Sequence, residues 1–461
     1  MRGSKRFSVL RDPVHGDVYL THEEIAVLDT PEMQRLRGVK QLGTAYLAYP
    51  GAVHTRFDHS IGTLHLTRKL IEAINRNFEL DPRSSLGISE SEARVIRMAA
   101  LLHDVTHIPF GHNIEDQTGL FHRHDGARRF AERLAPRGEL GGLLERQGLR
   151  RDVLNTLQAG EGGDAVPPYW CQVVSDTICS DILDYLQRDA YFTGLRLGVD
   201  ARIASYFKID REGSNLYLDL AKRDLLREDI LSEIVRMLEA RYYFSERVYY
   251  HHAKVSAGAL VARAVELALD AELVAEEEFY DLTDASLLDL LERRAASAEG
   301  DRAGRIRHLV DGFRRRRLFK RACVFPRYAN AEAQDELVGR FFDRERREER
   351  AATEERIADL ARFATGRKVE VVLYCPAARM QLKEVETHVR WPGEGRVLPL
   401  SAYADRVPRL ADLERSYRDL WKFYVFADTA DPALLARVQE IAMAELSPAK
   451  NVYRIECVNR S

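Results

Sequence analysis

The run Met98-Ala-Ala-Leu-Leu102 passes without a break into His103-Asp104. Small and apolar residues in an unbroken row imply a helix end buried on all sides. An imidazole next to a carboxylate is costly there unless something compensates the charge. Any fold built around this segment must therefore bring further groups to that helix end. A divalent cation would serve, and mixed imidazole and carboxylate ligation suits manganese, magnesium, iron, nickel or zinc without choosing among them. Adjacent residues cannot share one helical face, so the pair serves a single ion only where the helix stops and the backbone turns.

Histidine usage around this point is skewed. Of 14 histidines, eight lie between His54 and His124, where uniform scatter would place about two. Further along, Ser180-Asp-Ile-Leu-Asp-Tyr-Leu-Gln-Arg-Asp189 sets Asp181, Tyr185 and Asp189 four residues apart, on one helix face. That face can hold a metal ligand at one end and touch a substrate along its length. His59, His103, Asp104 and Asp181 form the candidate metal set, with His107 and His112 near it. Spacing alone leaves two readings open, a metal centre and a polar core network of hydrogen-bonded histidines.

Composition narrows the class. In 461 residues, apolar types make up 45% and charged types 31%, which excludes a disordered polyelectrolyte and a collagen-like fibre. No apolar run reaches the ~18 residues of a membrane span. Met1 to Phe7 is polar and basic, so no secretory leader is expected. Cys171, Cys179, Cys323, Cys375 and Cys457 form no CxxC pair and read as reduced thiols of a cytoplasmic protein. The net charge of -3 gives no general attraction to nucleic acid or an anionic membrane. Lysine is outnumbered by arginine, 11 to 58, which reads as genomic composition before phosphate binding.

The expected class is mainly α. It is a helical body with a small β-hairpin, residues 1–325, followed by a helical and α+β subdomain, residues 326–461. Arg11 to Asp17 reads as a turn into a strand over Val18 to Leu20. Pro31 sits at the first position of a helix that Gly43 can end. His59 to Asn77, Ser91 to His103 and Trp170 to Tyr191 read as helices. Residues 136–168 are glycine-rich and suggest a mobile loop in part. Tyr206 to Asp219 alternates as a hairpin does. Helices are expected from Leu225 to about Ala364, with the charge run Arg344 to Arg350 as a solvated helix face. Short strands then follow at Val369 to Tyr374, Val385 to Trp391, Val397 to Leu400 and Phe423 to Phe426, and Pro432 to Leu446 closes the chain as a helix.

Ten words occur in one order. They are Asp12-Pro-Val-His-Gly16, Asp29-Thr-Pro-Glu-Met-Gln-Arg-Leu-Arg37, Lys40-Gln-Leu-Gly43, Tyr49-Pro-Gly-Ala52, Arg56-Phe-Asp-His-Ser60, His103-Asp-Val-Thr-His107, Pro109-Phe-Gly-His112, His124-Asp125, Asp181-Ile-Leu-Asp-Tyr185 and Arg188-Asp189. Together they resemble the HD-domain deoxynucleoside triphosphate triphosphohydrolases, both bacterial members and the catalytic core of the vertebrate SAM- and HD-domain enzyme, here without the SAM domain. The resemblance covers roughly residues 8 to 325.

The resemblance implies the following roles. His59, His103, Asp104 and Asp181 would bind one divalent metal per active site. Arg56 and Arg241 would hold the triphosphate. His112 would be the general acid or water-orienting group near the α-phosphate, supported by His107 and His124. Gln41 and Asp189 would bond the sugar 3'-hydroxyl, Tyr185 would stack on the sugar, and Leu42 with Tyr249 would exclude a 2'-hydroxyl. The products would be a deoxynucleoside and inorganic triphosphate. Asp29, Gln34, Arg37, Arg316 and Lys320 match positions that bind regulatory nucleotides between subunits, which implies an activating nucleotide and a homotetramer. Ile182 stands where the vertebrate relative has a phosphate-binding lysine, and Tyr250 and His252 replace its glutamine and lysine. Two other readings remain from these residues. One is an HD phosphodiesterase on another nucleotide or on nucleic acid, although Thr106-His107 replaces the acidic pair of alarmone hydrolases. The other is a partner-gated nucleotide sensor.

Overall fold

The computed structural model describes residues 7–117, 120–158, 166–198, 200–343, 346–377 and 387–455. The chain opens with a hairpin in which β1 (Ser8–Asp12) pairs antiparallel with β2 (Gly16–Leu20). Gly16, at φ 79°, supplies the left-handed turn residue. Two short helices follow, α1 (His22–Leu28) and α2 (Pro31–Arg35), the latter with Pro31 in its first turn. Helix α3 (Arg56–Leu80) starts at a capping box in which Thr55 and Asp58 satisfy each other's backbone N–H groups. Helix α4 (Glu90–Leu102) starts in the same way at Ser89 and Glu92. It ends at His103, where the backbone turns as a His-Asp ligand pair requires.

The body continues through α5 (His112–Glu115), α6 (Ala127–Arg133), α7 (Glu139–Arg146), α8 (Arg150–Leu157), α9 (Pro168–Val174) and α10 (Ser180–Thr193). Helices α3 and α10 cross against one another. At the crossing stands Gly62, where a β-carbon would meet Asp184 Oδ1 at 1.9 Å and Arg188 Nη2 at 2.2 Å. The helices therefore approach closely enough for Asp184 and Arg188 to occupy the space of a missing side chain. Strands β3 (Phe207–Ile209) and β4 (Leu216–Asp219) form the expected hairpin, followed by the two-residue strands β5 (Ala221–Lys222) and β6 (Leu225–Leu226). Helices α11 (Glu228–Phe244), α12 (His252–Asp270), α13 (Asp284–Ala296) and α14 (Asp301–Arg314) complete the body.

Strand β7 (Lys320–Pro326) comes next, then α15 (Arg327–Asn330), α16 (Gln334–Phe341), α17 (Arg347–Thr365), β8 (Val371–Tyr374), β9 (His388–Arg390), β10 (Val397–Pro399), α18 (Pro408–Arg418), β11 (Lys422–Ala427) and α19 (Pro432–Glu445). Strand β11 is central in an antiparallel sheet ordered β7-β11-β8. Strand β9 instead joins the body, pairing parallel with β4 in the order β10-β9-β4-β3. The body core centres on α3, α4 and α10, a second core surrounds α12, and a third packs α17 and α19 on the β7-β11-β8 sheet.

The fold is mainly helical, as expected, and several local expectations are corrected. Gly43 does not end the α2 helix. The backbone turns at Leu36–Gly38, and Gly43 opens a separate 3-10 turn, Gly43–Leu47. Helices α7 and α8 occupy much of residues 136–168, because the glycines fall between apolar residues such as Leu140, Leu144 and Val153 that pack into the core; residues 159–165 lie outside the described set. The helix expected over Trp170 to Tyr191 is interrupted, since α9 ends at Val174 and α10 starts at Ser180. The helical stretch up to Ala364 is interrupted by β7, whose buried Ala322 to Phe325 pair with β11. The division expected at 325/326 falls inside that strand. Arg350 is not on a solvated face. It is buried and bonds the carboxylate of Glu266. The free thiols Cys171, Cys179, Cys323 and Cys375 match the reduced state expected; Cys457 lies outside the described residues. Among those residues no helix is long and apolar enough to cross a membrane.

Candidate active site

The end of α4, the first turn of α3 and the first turn of α10 converge, and the side chains at that point are all hydrogen-bond acceptors. His59 donates from Nδ1 to Asp184 Oδ2 at 2.7 Å, which leaves its Nε2 as a lone pair. His103 donates from Nδ1 to the carbonyl of Ala100 at 2.8 Å, with the same result. The two Nε2 atoms face each other at 3.1 Å. Asp181 Oδ1 lies 2.9 Å from His59 Nε2 and 3.7 Å from His103 Nε2. Asp104 contributes Oδ1 at 3.5 Å from His103 Nε2 and Oδ2 at 3.9 Å from His59 Nε2. Two neutral imidazoles and two carboxylates aimed at one point need a cation between them, either protons or a metal. Burial alone would lower the His59 pKa, but Asp181 and Asp184 overcome it and hold the ring up to about 10. Asp104 is likewise ionised against its burial, by Arg56 and His103. The donor set, with both tautomers fixed from behind, fits a divalent metal.

A layer behind these groups was not assigned from the sequence. Asp184 Oδ1 meets His15 Nε2 at 2.5 Å, and Arg188 grips the same carboxylate through Nε at 2.8 Å and Nη2 at 3.0 Å. Arg188 Nη1 reaches Asp12 Oδ2 at 2.8 Å. The spacing of Asp184 and Arg188 four residues apart on α10 was readable. Their partners on the β1–β2 turn were not.

A second histidine group lies beside the first. His107 faces Asp104 Oδ1 through Nε2 at 3.2 Å and Glu115 Oε2 through Nδ1 at 2.7 Å. His124 stacks on His107 at 3.7 Å between ring centroids and shares Glu115 at 3.2 Å. His112 faces Asp116 at 3.2 Å with its side chain 55% exposed to the cleft. Their proton affinities diverge. Burial, followed by the nearby Arg56, pushes His107 down to about 4. For His112 burial acts in the same sense, but Asp116 overrides it and raises the ring above the ordinary imidazole value. One histidine is therefore kept neutral and the other inclined to hold a proton. Burial with Arg56 at one ring and Asp116 at the other set this difference, and Glu115 opposes it at His107; both acids were missed in the sequence because isolated acidic residues carry no pattern.

These groups line one cavity of about 850 Å³, within the size range of nucleotide sites. Arg56 is buried, with Nη1 on Asp104 Oδ2 at 2.7 Å. It fits only because Gly111 faces it; a β-carbon there would lie 2.6 Å from Arg56 Nη2. On the other wall Asp189 accepts from His54 Nε2 at 2.7 Å and from the Tyr249 hydroxyl at 3.0 Å. Leu42 packs with Tyr249, and Tyr185 lies 6.5 Å from His59 between ring centroids. Gln41 Oε1 and Arg241 Nη1 are buried there without hydrogen-bond partners. Asp29, Gln34, Arg37, Arg316 and Lys320 do not line the cavity. Gln34 and Arg37 bond each other at 2.9 Å, and Arg316 donates to the Leu47 carbonyl at 2.8 Å.

Residues 56–159 match the family model described as HD domain, and residues 220–450 match the HD associated region. An uncharacterized protein of Methanocaldococcus jannaschii is 30% identical over 288 residues, which are 61% of this chain and 54% of that protein. The uncharacterized protein YwfO of Bacillus subtilis is 31% identical over 265 residues, 56% of this chain and 55% of YwfO. The deoxynucleoside triphosphate triphosphohydrolase SAMHD1 homolog of Dictyostelium discoideum is 27% identical over 334 residues, 68% of this chain and 60% of that protein. The chain thus spans between about half and three-fifths of the length of these curated relatives.

Proposed function

The chain belongs to the family of HD-domain proteins that carry the HD associated region, and on that premise, with its likeness to the SAMHD1 homolog of Dictyostelium discoideum, we propose that it hydrolyses dNTPs to deoxynucleoside and inorganic triphosphate. The observation that carries this reading is the meeting of the four-acceptor cluster, Arg56 and a proton-holding His112 in one cavity. His59, His103, Asp104 and Asp181 would hold a divalent metal, manganese, magnesium, iron, nickel or zinc. Such an ion, when bound, supplies a Lewis acid beside the scissile phosphate.

The chain's own residues supply the rest. Arg56 and Arg241 present guanidinium groups to phosphate oxygens, for which their planar forks are suited. His112, whose proton affinity Asp116 raises, delivers a proton to the departing 5'-oxygen. His107 stays neutral, and with His124 and Glu115 it fixes the wall from which His112 projects. Asp189, already accepting from His54 and Tyr249, accepts the sugar 3'-hydroxyl proton, and the side-chain amide N–H of Gln41 donates to the oxygen of that hydroxyl. Leu42 and Tyr249 close the space a ribose 2'-hydroxyl would need. Nucleotide activation through Asp29, Gln34, Arg37, Arg316 and Lys320, and assembly as a homotetramer, belong to the same reading.

The test is product analysis by chromatography after incubating Mn2+-loaded protein with each dNTP alone and with all four together. Deoxynucleoside and triphosphate are expected, with His103→Ala inactive. Activity confined to mixtures would show nucleotide activation. No triphosphate from any mixture would overturn the reading in favour of another phosphoester or a partner-gated sensor.

A further inference from the structure

The cavity is lined by two cations without an ion-pair partner among the described residues. Arg56 is paired with Asp104, but the guanidinium of Arg241 has no ion-pair partner among the described residues. The ammonium of Lys254 has neither a hydrogen bond nor an ion pair among them. Lys254 is the third residue of α12 and lies partly buried in the cavity wall. Its backbone is fixed, because its carbonyl accepts from Thr44 Oγ1 at 3.0 Å, and its Nζ sits 5.5 Å from the centre of the Tyr249 ring. Asp116 on α5 and Asp189 on α10 are the carboxylates whose field reaches it, yet each is engaged elsewhere, Asp116 with His112 and Asp189 with His54 and Tyr249. Enclosure lowers the proton affinity of the ammonium, to about 8, and those two carboxylates only partly offset this.

A lysine held in the wall of a cavity that a second unpaired cation also lines stores an electrostatic cost that an anion would relieve. A neutral base carbonyl could give it one hydrogen bond but no charge. Resting on the nucleotide-hydrolase reading above, we propose that Lys254 is a substrate-binding residue. With Arg241 it gives the cavity wall the positive charge that takes phosphate charge of the bound nucleotide.

The experiment uses the full chain, freed of metal with chelator so that the ion does not hold the phosphates. Inorganic triphosphate and a deoxynucleoside are titrated separately by calorimetry into wild type, Lys254→Met, Lys254→Gln and Lys254→Arg. Thermal melting of each variant establishes that it is folded. The expected result is triphosphate binding weakened about tenfold in the Met and Gln variants, as loss of a charge-assisted contact implies. The Arg variant should keep most of it, and deoxynucleoside binding should not change. Unchanged triphosphate affinity in the folded Met or Gln variant overturns the proposal. So does a loss confined to the deoxynucleoside, which would place Lys254 at the base or sugar. Because inorganic triphosphate is the probe, this result stands apart from whether any dNTP is hydrolysed.

Discussion

Two imidazoles with ring centroids 5.2 Å apart in the cleft wall differ in proton affinity, one lowered by burial and Arg56, the other raised by Asp116. His107 lies deep, between Arg56 and Glu115, and stays neutral at physiological pH. His112 opens to the cleft beside Asp116 and keeps its proton to a higher pH than a free histidine. An acid must be protonated to act, so kcat is expected to fall as pH rises through the elevated His112 pKa and to be insensitive to it below. His112→Gln should lower kcat by about 10²- to 10⁴-fold and abolish that alkaline limb. A pH–rate profile of both proteins checks this. An unchanged alkaline limb in the variant would assign it to another group.

At the scale of elements, the site depends on how closely α3 and α10 approach. Gly62 is what allows Asp184 to stand behind His59 with Arg188 beside it. Gly62→Ala would drive a methyl group into both, separating the helices or turning the carboxylate away. The expected outcome is metal affinity reduced by about 10- to 100-fold, the usual effect of losing an outer hydrogen-bond partner of a ligand. Folding stability should fall by about 1–3 kcal/mol from overpacking. Competition titration with a chelator and denaturant unfolding measure the two effects. Metal affinity equal to wild type would sink the role given to the Asp184 layer.

At the scale of the whole molecule, the C-terminal sheet is tied to the catalytic body by buried charge. Arg263 on α12 bonds Glu266 and Glu354, Arg350 on α17 bonds Glu266, and Glu354 accepts from the Leu373 N–H of β8 at 2.8 Å. Arg263→Met leaves two buried carboxylates short of a partner and is expected to cost about 3–5 kcal/mol. Because the network joins α12, α17 and β8, the fluorescence of Trp170 and Trp391 against the body core and of Trp421 in the C-terminal core should shift together with far-UV dichroism in one transition. Two separated transitions in the wild type would refute that coupling. This network also marks where reading the sequence failed. The run ending in Arg350 has the look of a solvated helix face, since a one-dimensional pattern cannot show that Glu266, 84 residues away, awaits it. Local features were legible: the periodic runs of α3 and α4, Pro31 at the head of α2, the β3–β4 hairpin, and the spacing of Asp181, Tyr185 and Asp189. His59, His103, Asp104 and Asp181 were legible as a candidate metal set because they lie on or beside helices that the sequence marks. Asp116, Glu115 and Lys254 were not, because their roles come from which neighbours surround them and not from spacing.

The crossing at Gly62 also restricts the order in which such a centre can arise by mutation. With any larger residue at that position, a carboxylate at position 184 has no room, and its arginine partner would be left as a buried charge. The glycine must come first and by itself offers no catalytic advantage. Once the acid and its arginine are in place, the glycine can no longer drift. A neutral early step thus becomes irreversible, and descendants that later lose the chemistry should keep the glycine longer than they keep the histidines.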